Sequence, residues 1–124
     1  MPEFQKHLLH FFHAAGYSLK GLRSALDEMA FRQELLLFCV MFPLGLYLGS
    51  TPVERLLLVF PLFIVLMVEL LNSAIESAID LISPDHHPLA GKAKDLGSAA
   101  VFISLVAAGC SWLIILAEKF LAAG

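Results

Sequence analysis

The sequence predicts an all-α membrane protein: three transmembrane helices preceded by an amphipathic surface helix. Three observations lead there. The first is composition: 59% of the 124 residues are apolar, 15% are charged, and the mean hydropathy is +0.82. A soluble chain of this size has too little interior to hide that much apolar surface. The second is spacing, because three long apolar runs approach the roughly 20 residues needed to cross a bilayer, with short charged or turn-forming segments between them. The third is a ladder of polar residues, Glu69, Asn72, Ser73, Glu76 and Asp80, within one otherwise oil-soluble helix. The length fits one integral-membrane domain over residues 1–124. A formal charge of −3 says less than where the charges sit.

The first element is the surface helix, residues 4–27. Phe4, Leu8, Phe11, Phe12, Ala15, Leu19, Leu22 and Leu26 recur every three or four positions. Lys6, His10, His13, Lys20, Arg23, Ser24 and Asp27 take the other side. The segment is too polar to span and suits the plane of the interface. The spacing of His7, His10 and His13 drifts around the helix, so these read as solvated interfacial groups and not as a metal cluster. No cleavable signal is indicated, because Met1 to His7 lacks a basic segment adjoining an apolar one.

The first transmembrane helix is expected over 29–50. Glu28 and Arg32 stand four apart at its start, acid first, and no charge follows from Leu35 to Val53. Gly49-Ser50-Thr51-Pro52 is a turn, with Pro52 suited to the first position of the next helix. The second transmembrane helix, 53–82, is roughly 45 Å long at 1.5 Å per residue, longer than the hydrocarbon core. Ser83 to Pro88 reads as a polar loop, and Leu89 to Asp95 as its cationic continuation. The third transmembrane helix is expected over 94–119, with Gly97, Ala100, Ser104 and Ala108 as a small-residue stripe for close helix contact. Trp112 fits either an interface anchor or a packing residue. Cys39 and Cys110 lie in apolar runs and read as small hydrophobes, not as a disulfide.

The polar ladder is where chemistry is expected. At about 100° per residue, with Glu69 as zero, Glu76 falls near −20°, Asp80 near +20°, Ser73 near +40° and Asn72 near −60°. A carboxylate in hydrocarbon is costly, and such groups usually face a bundle interior and do work. A single Asn could serve as helix glue. Three acids would repel one another unless a cation sat among them. If the hydrocarbon begins near Leu56, Glu69 lies about 10 Å inside it, Glu76 at its boundary and Asp80 in water.

Counting cations gives the orientation. Lys6, Lys20, Arg23, Arg32, Lys92 and Lys94 share one side, whereas only Arg55 and Lys119 lie on the other. The positive-inside rule places the N-terminus and the wet end of the ladder in the cytoplasm, where nucleotide and magnesium are. Acids graded from oil to water beside a lysine-bearing segment suit phosphoryl transfer from a soluble nucleotide to a lipid hydroxyl. Magnesium takes a few carboxylates plus phosphate oxygens and keeps its waters. Glu28 and Glu76 can share it if the first span leans on the second. Lys94 can meet phosphate as a point charge, and Glu69 can accept the hydroxyl proton. The chain contains neither Gly-x-x-x-x-Gly-Lys-Ser/Thr nor Gly-x-Gly-x-x-Gly, so nucleotide would not be held in a standard glycine-rich cradle.

The residues also resemble a known family. The blocks are Ala14-Ala15-Gly16-Tyr17-Ser18 with Lys20-Gly21-Leu22-Arg23, then Glu28 with Phe31-Arg32-Gln33-Glu34. They continue with Glu69-Leu70-Leu71-Asn72-Ser73-Ala74-Ile75-Glu76, Asp80, and His87-Pro88-Leu89-Ala90-Gly91-Lys92-Ala93-Lys94-Asp95. This pattern is similar to that of the small prokaryotic diacylglycerol kinases. The resemblance implies a multi-pass homotrimer of the bacterial inner membrane, with active sites shared between neighbouring subunits. Its substrates would be ATP, with Mg2+, and a membrane lipid, with no nucleic-acid partner. By the same resemblance, Glu69 is the catalytic base supported by Asn72, and Glu28 and Glu76 hold the metal. Tyr17, Asp85, His87, Lys94 and Asp95 surround the nucleotide together with those two acids. Ala15, Gly16, Ser18, Arg23, Ala30, Arg32, Glu34 and Ser98 border the lipid beside Glu69. One departure is His10, where many relatives carry arginine; a largely neutral histidine is a weaker phosphate ligand.

Two other readings remain open at this point. A related branch of the family phosphorylates undecaprenol, although Gly16-Tyr17-Ser18 and Phe31-Arg32-Gln33-Glu34 look like the diacylglycerol branch. A non-enzymatic ion conductor also uses intramembrane acids, but it leaves Lys92-Ala93-Lys94-Asp95 unexplained.

Overall fold

The computed structural model describes residues 2–123, and its regular structure is helical throughout. The elements are α1 (Glu3–Ala25), α2 (Met29–Leu48), α3 (Pro52–Ile82) and α4 (Pro88–Ala123). The last three are long and apolar enough to cross a membrane. α3 is the spine, with α2 and α4 each packed against it. α1 buries only Ala25, at its own C-terminal end.

Local chemistry sets each boundary. After α1, the N–H groups of Asp27 and Glu28 bond to the carbonyls of Ser24 and Ala25 at 3.2 and 3.0 Å, closing a tight turn. Glu28 then takes an extended backbone and opens α2. At the other end of α2, Gly49 is required by close approach: a Cβ there would meet the Arg55 backbone nitrogen at 2.9 Å. Thr51 caps α3 in a capping box. Its hydroxyl accepts from the Glu54 N–H, and the Glu54 carboxylate accepts from the Thr51 N–H, both at 3.2 Å.

The core lies in the same half of the bundle. Leu58, Leu62 and Trp112 form its centre, with Phe38, Met41, Phe42, Leu48, Ile115 and Leu116 around them. Trp112 is 7% exposed and donates its indole N–H to the Leu58 carbonyl at 2.8 Å. It is therefore a packing residue, which the sequence left open. Gly45 lets α2 come close, since a Cβ there would meet Leu58 at 3.2 Å and Trp112 at 3.3 Å. The outward faces carry Phe60, Leu71, Phe102, Ile103 and Leu113, all exposed. That is a surface for acyl chains or protein and not for water.

One difference from the sequence reading affects the site. Residues 88–95 are the first turns of α4 and not part of a loop. Pro88 fits a first helical position, and the His87 ring nitrogen Nδ1 accepts from the Leu89 N–H at 3.1 Å. Lys92, Lys94 and Asp95 therefore stand at helical spacing on a rigid element.

Candidate active site

Beyond the core, α3 changes character. Glu69 and Asn72 lie one turn apart and both point inward, 4% and 8% exposed. They line an open cavity of about 530 Å³ together with Glu28, Ala30, Glu34, Glu76 and Ser98. The lining holds four carboxylates and no cationic side chain. Like charges this close are held apart only at a cost, so the cavity favours a cation or a proton.

Two neutral side chains hold two of the acids. The Ser73 hydroxyl donates to Glu28 Oε2 at 2.5 Å, joining the start of α2 to α3. The Asn72 amide Nδ2 donates to Glu76 Oε1 at 3.3 Å, one turn along the same helix. Asn72 therefore braces Glu76, whereas the resemblance had it supporting Glu69. Among the described residues, the buried side-chain oxygens without a partner are Glu34 Oε2 and Asn72 Oδ1, and both residues line this cavity.

The residues present fit a magnesium ion. Glu28 and Glu76 face one cavity, and each uses a single carboxylate oxygen in its side-chain hydrogen bond. Hard oxygen donors of this kind suit Mg2+, which takes the rest of its shell from phosphate and water. Among the described residues, no three of His, Cys, Asp and Glu gather as a complete ligand set. A shared shell needs none.

One turn further along α3 a second cavity opens, about 400 Å³. Asp80, Asp85, His87, Lys94 and Asp95 line it. The Lys94 ammonium donates to Asp80 Oδ1 at 2.5 Å. Four of the seven residues expected around a nucleotide thus share one space, and two more, Glu28 and Glu76, line the acidic cavity. The seventh, Tyr17, lies elsewhere: it is exposed on α1, where the Lys20 ammonium stands 5.8 Å from its ring centre.

The profile described as Prokaryotic diacylglycerol kinase matches residues 16–116. The chain belongs to the prokaryotic diacylglycerol kinase family. It is an enzyme of the kinase class and a membrane protein. Similar proteins include the "Diacylglycerol kinase" of Haemophilus influenzae, 45% identical over 85% of this chain and 90% of that protein. That of Escherichia coli is 44% identical over 86% and 88% of the two chains. That of Pseudomonas aeruginosa is 43% identical over 90% and 92%.

For a kinase of this family, the expected site residues fall into five groups. Glu28, Ala30, Glu34, Glu69, Asn72, Glu76 and Ser98 share the acidic cavity, and Asp85, His87, Lys94 and Asp95 share the second. Ser18 faces a separate groove of about 520 Å³ between α1 and α3, which Glu28 and Ser73 also line. Gly16 and Tyr17 border a small hollow of about 250 Å³ on α1. Ala15, Arg23 and Arg32 are exposed and join none of these cavities. Two contributors were not among the expected site residues. Ser73 braces Glu28, and its place on the polar ladder was the available signal. Asp80 pairs with Lys94 and was visible as the ladder's outermost acid.

Proposed function

We propose that this protein transfers the γ-phosphoryl group of ATP to the free hydroxyl of diacylglycerol, giving phosphatidic acid, with Mg2+ required. The observation that carries the reading is the adjacency of the two cavities along α3. Glu76 lines the acidic one, and Asp80, a single turn on, lines the lysine-bearing one. A buried acid suited to a lipid hydroxyl thus stands about 11 residues, roughly 16 Å at 1.5 Å per residue, from an aspartate at the wet end.

The roles follow from the chemistry of the side chains. Glu69 accepts the proton of the lipid hydroxyl as its oxygen bonds to the γ-phosphorus, and the bond to the oxygen of the departing ADP breaks. Glu28 and Glu76 would hold magnesium, which when bound neutralises phosphate charge. Ser73 and Asn72 keep those two carboxylates in place. Lys94, released from Asp80, meets phosphate as a point cation. Asp85, His87 and Asp95 border the donor, with Tyr17 brought to it from α1. Ala15, Gly16, Ser18, Arg23, Ala30, Arg32, Glu34 and Ser98 border the lipid.

The same proposal puts the N-terminus and the active site on the cytoplasmic side of the inner membrane, with α1 lying in the interface. It has three copies completing one another's sites. The open side of the acidic cavity and the exposed apolar faces of α2 and α4 support that assembly. The test is label transfer from ATP to diacylglycerol or undecaprenol in mixed micelles, with and without magnesium. Magnesium-dependent labelling of diacylglycerol is expected. Preferential labelling of undecaprenol would move the protein to the other branch, and labelling of neither would end the proposal.

A further inference from the structure

Asn72 owes its place to an absence on the neighbouring helix. Gly97, in α4, is buried opposite it. A Cβ added to Gly97 would stand 3.3 Å from Asn72 Cγ and 3.9 Å from its Cβ, and would occupy the space taken by Oδ1. The amide's direction is fixed by its other partner. A carboxylate only accepts, so Nδ2 is the atom turned to Glu76. That leaves Oδ1 facing the glycine, buried and without a hydrogen-bond partner.

We propose that Gly97 is a positioning residue for the reaction: its missing side chain is the slot that aims the Asn72 amide at Glu76. The inference rests on the reading that Glu76 takes part in magnesium and nucleotide binding. Gly45 provides the contrast. A Cβ at Gly45 would press on Leu58, Val59 and Trp112, all part of packed interior. At Gly97 the obstacle is the free end of one side chain, which can turn away. Alanine is also the better helix former. The effect of Gly97→Ala therefore falls on the amide, leaving the helix and the α3–α4 packing in place.

The experiment compares Gly97→Ala, Asn72→Ala and the double variant in the full-length protein. It records kcat, the magnesium midpoint of activity, the unfolding temperature, and the rise in that temperature on adding magnesium. Loss of a side chain that orients a metal ligand typically costs about 10–100-fold in affinity or activity. Gly97→Ala is expected to lower kcat by about tenfold, raise the magnesium midpoint, shrink the magnesium-induced rise and leave the metal-free unfolding temperature unlowered. In the Asn72→Ala background it should change nothing further. Wild-type behaviour of Gly97→Ala would overturn the proposal, as would losses that multiply in the double variant. So would a loss that only tracks lowered stability with the magnesium midpoint unmoved. If Gly97→Ala fails to fold alone, adding Asn72→Ala should restore folding, and failure to do so overturns the assignment. Glu76→Gln separates the two readings. An unchanged magnesium titration there removes the metal role, while the Gly97–Asn72 coupling in kcat is judged on its own.

Discussion

The two ends of α3 handle polar groups in opposite ways. Near Pro52 they are tied to one another. Glu54 closes a capping box with Thr51 and accepts from the Ser50 N–H at 2.6 Å. Lys119, from the far end of α4, lies 3.8 Å from Glu54 and donates to the Ser50 hydroxyl. Arg55 donates to the Leu46 carbonyl at 3.1 Å. Near Glu69 the groups are left wanting: four carboxylates face one opening, and two buried oxygens have no partner. One end spends its polar groups on holding three helices together. The other keeps them available. Unsatisfied buried polarity is expensive, and among the described residues both such oxygens belong to side chains lining this one cavity.

That contrast can be broken by substitution, beginning with the largest effect. Glu69→Gln should lower phosphoryl transfer by about 10²–10⁴-fold, the range for a lost general base, with an unfolding temperature that does not fall. Wild-type turnover in the purified variant would remove Glu69 from the chemistry. Trp112→Ala, at the tied end, should destabilise the bundle by about 3–5 kcal/mol. The fraction that remains folded should keep its magnesium midpoint; a shifted midpoint would mean the two ends are not separable. Ser73→Ala should cost Glu28 about 1.5–3 kcal/mol of support, the range for a hydrogen bond to a charged group. It should read out as a weaker magnesium response with little change in stability, and the reverse pattern would make Ser73 structural. Thr51→Ala is the smallest, about 1 kcal/mol of stability from the lost cap, with turnover per folded molecule unchanged.

The tied end was readable in part and the open end in larger part, for different reasons. Periodicity puts Glu69, Glu76 and Asp80 on one face, because helical geometry depends only on residue count. Pro52 after Gly49-Ser50-Thr51 announced a helix start by the same local logic. Pro88 carried a similar signal, but the polar residues on either side of it made the segment read as a loop. Contacts between distant residues were not readable. Ser73 meets Glu28 across 45 positions, and Trp112 meets Leu58 across 54. Nothing in either neighbourhood names its partner. Gly97 was visible as a small residue for helix packing. That its gap houses one particular amide depends on which residue of α3 lies opposite, 25 positions away. Ala15, Arg23, Arg32 and Tyr17, like Asp85, His87, Asp95 and Ser98, came from the resemblance, and those first four join neither the acidic cavity nor the lysine-bearing one.

The turn at Gly49 has a further consequence. With Arg55 pressed over it, α3 starts from a fixed origin, and Glu69 follows 14 positions after Arg55, about 21 Å along the axis at 1.5 Å per residue. The intervening stretch therefore works as a gauge. Swapping one outward-facing apolar side chain there, such as Phe60, for another leaves the register intact. Inserting a single residue would advance the acids by about 1.5 Å and swing them by about 100°, turning them out of register with Gly97 and Ser98. What this stretch must preserve is its count.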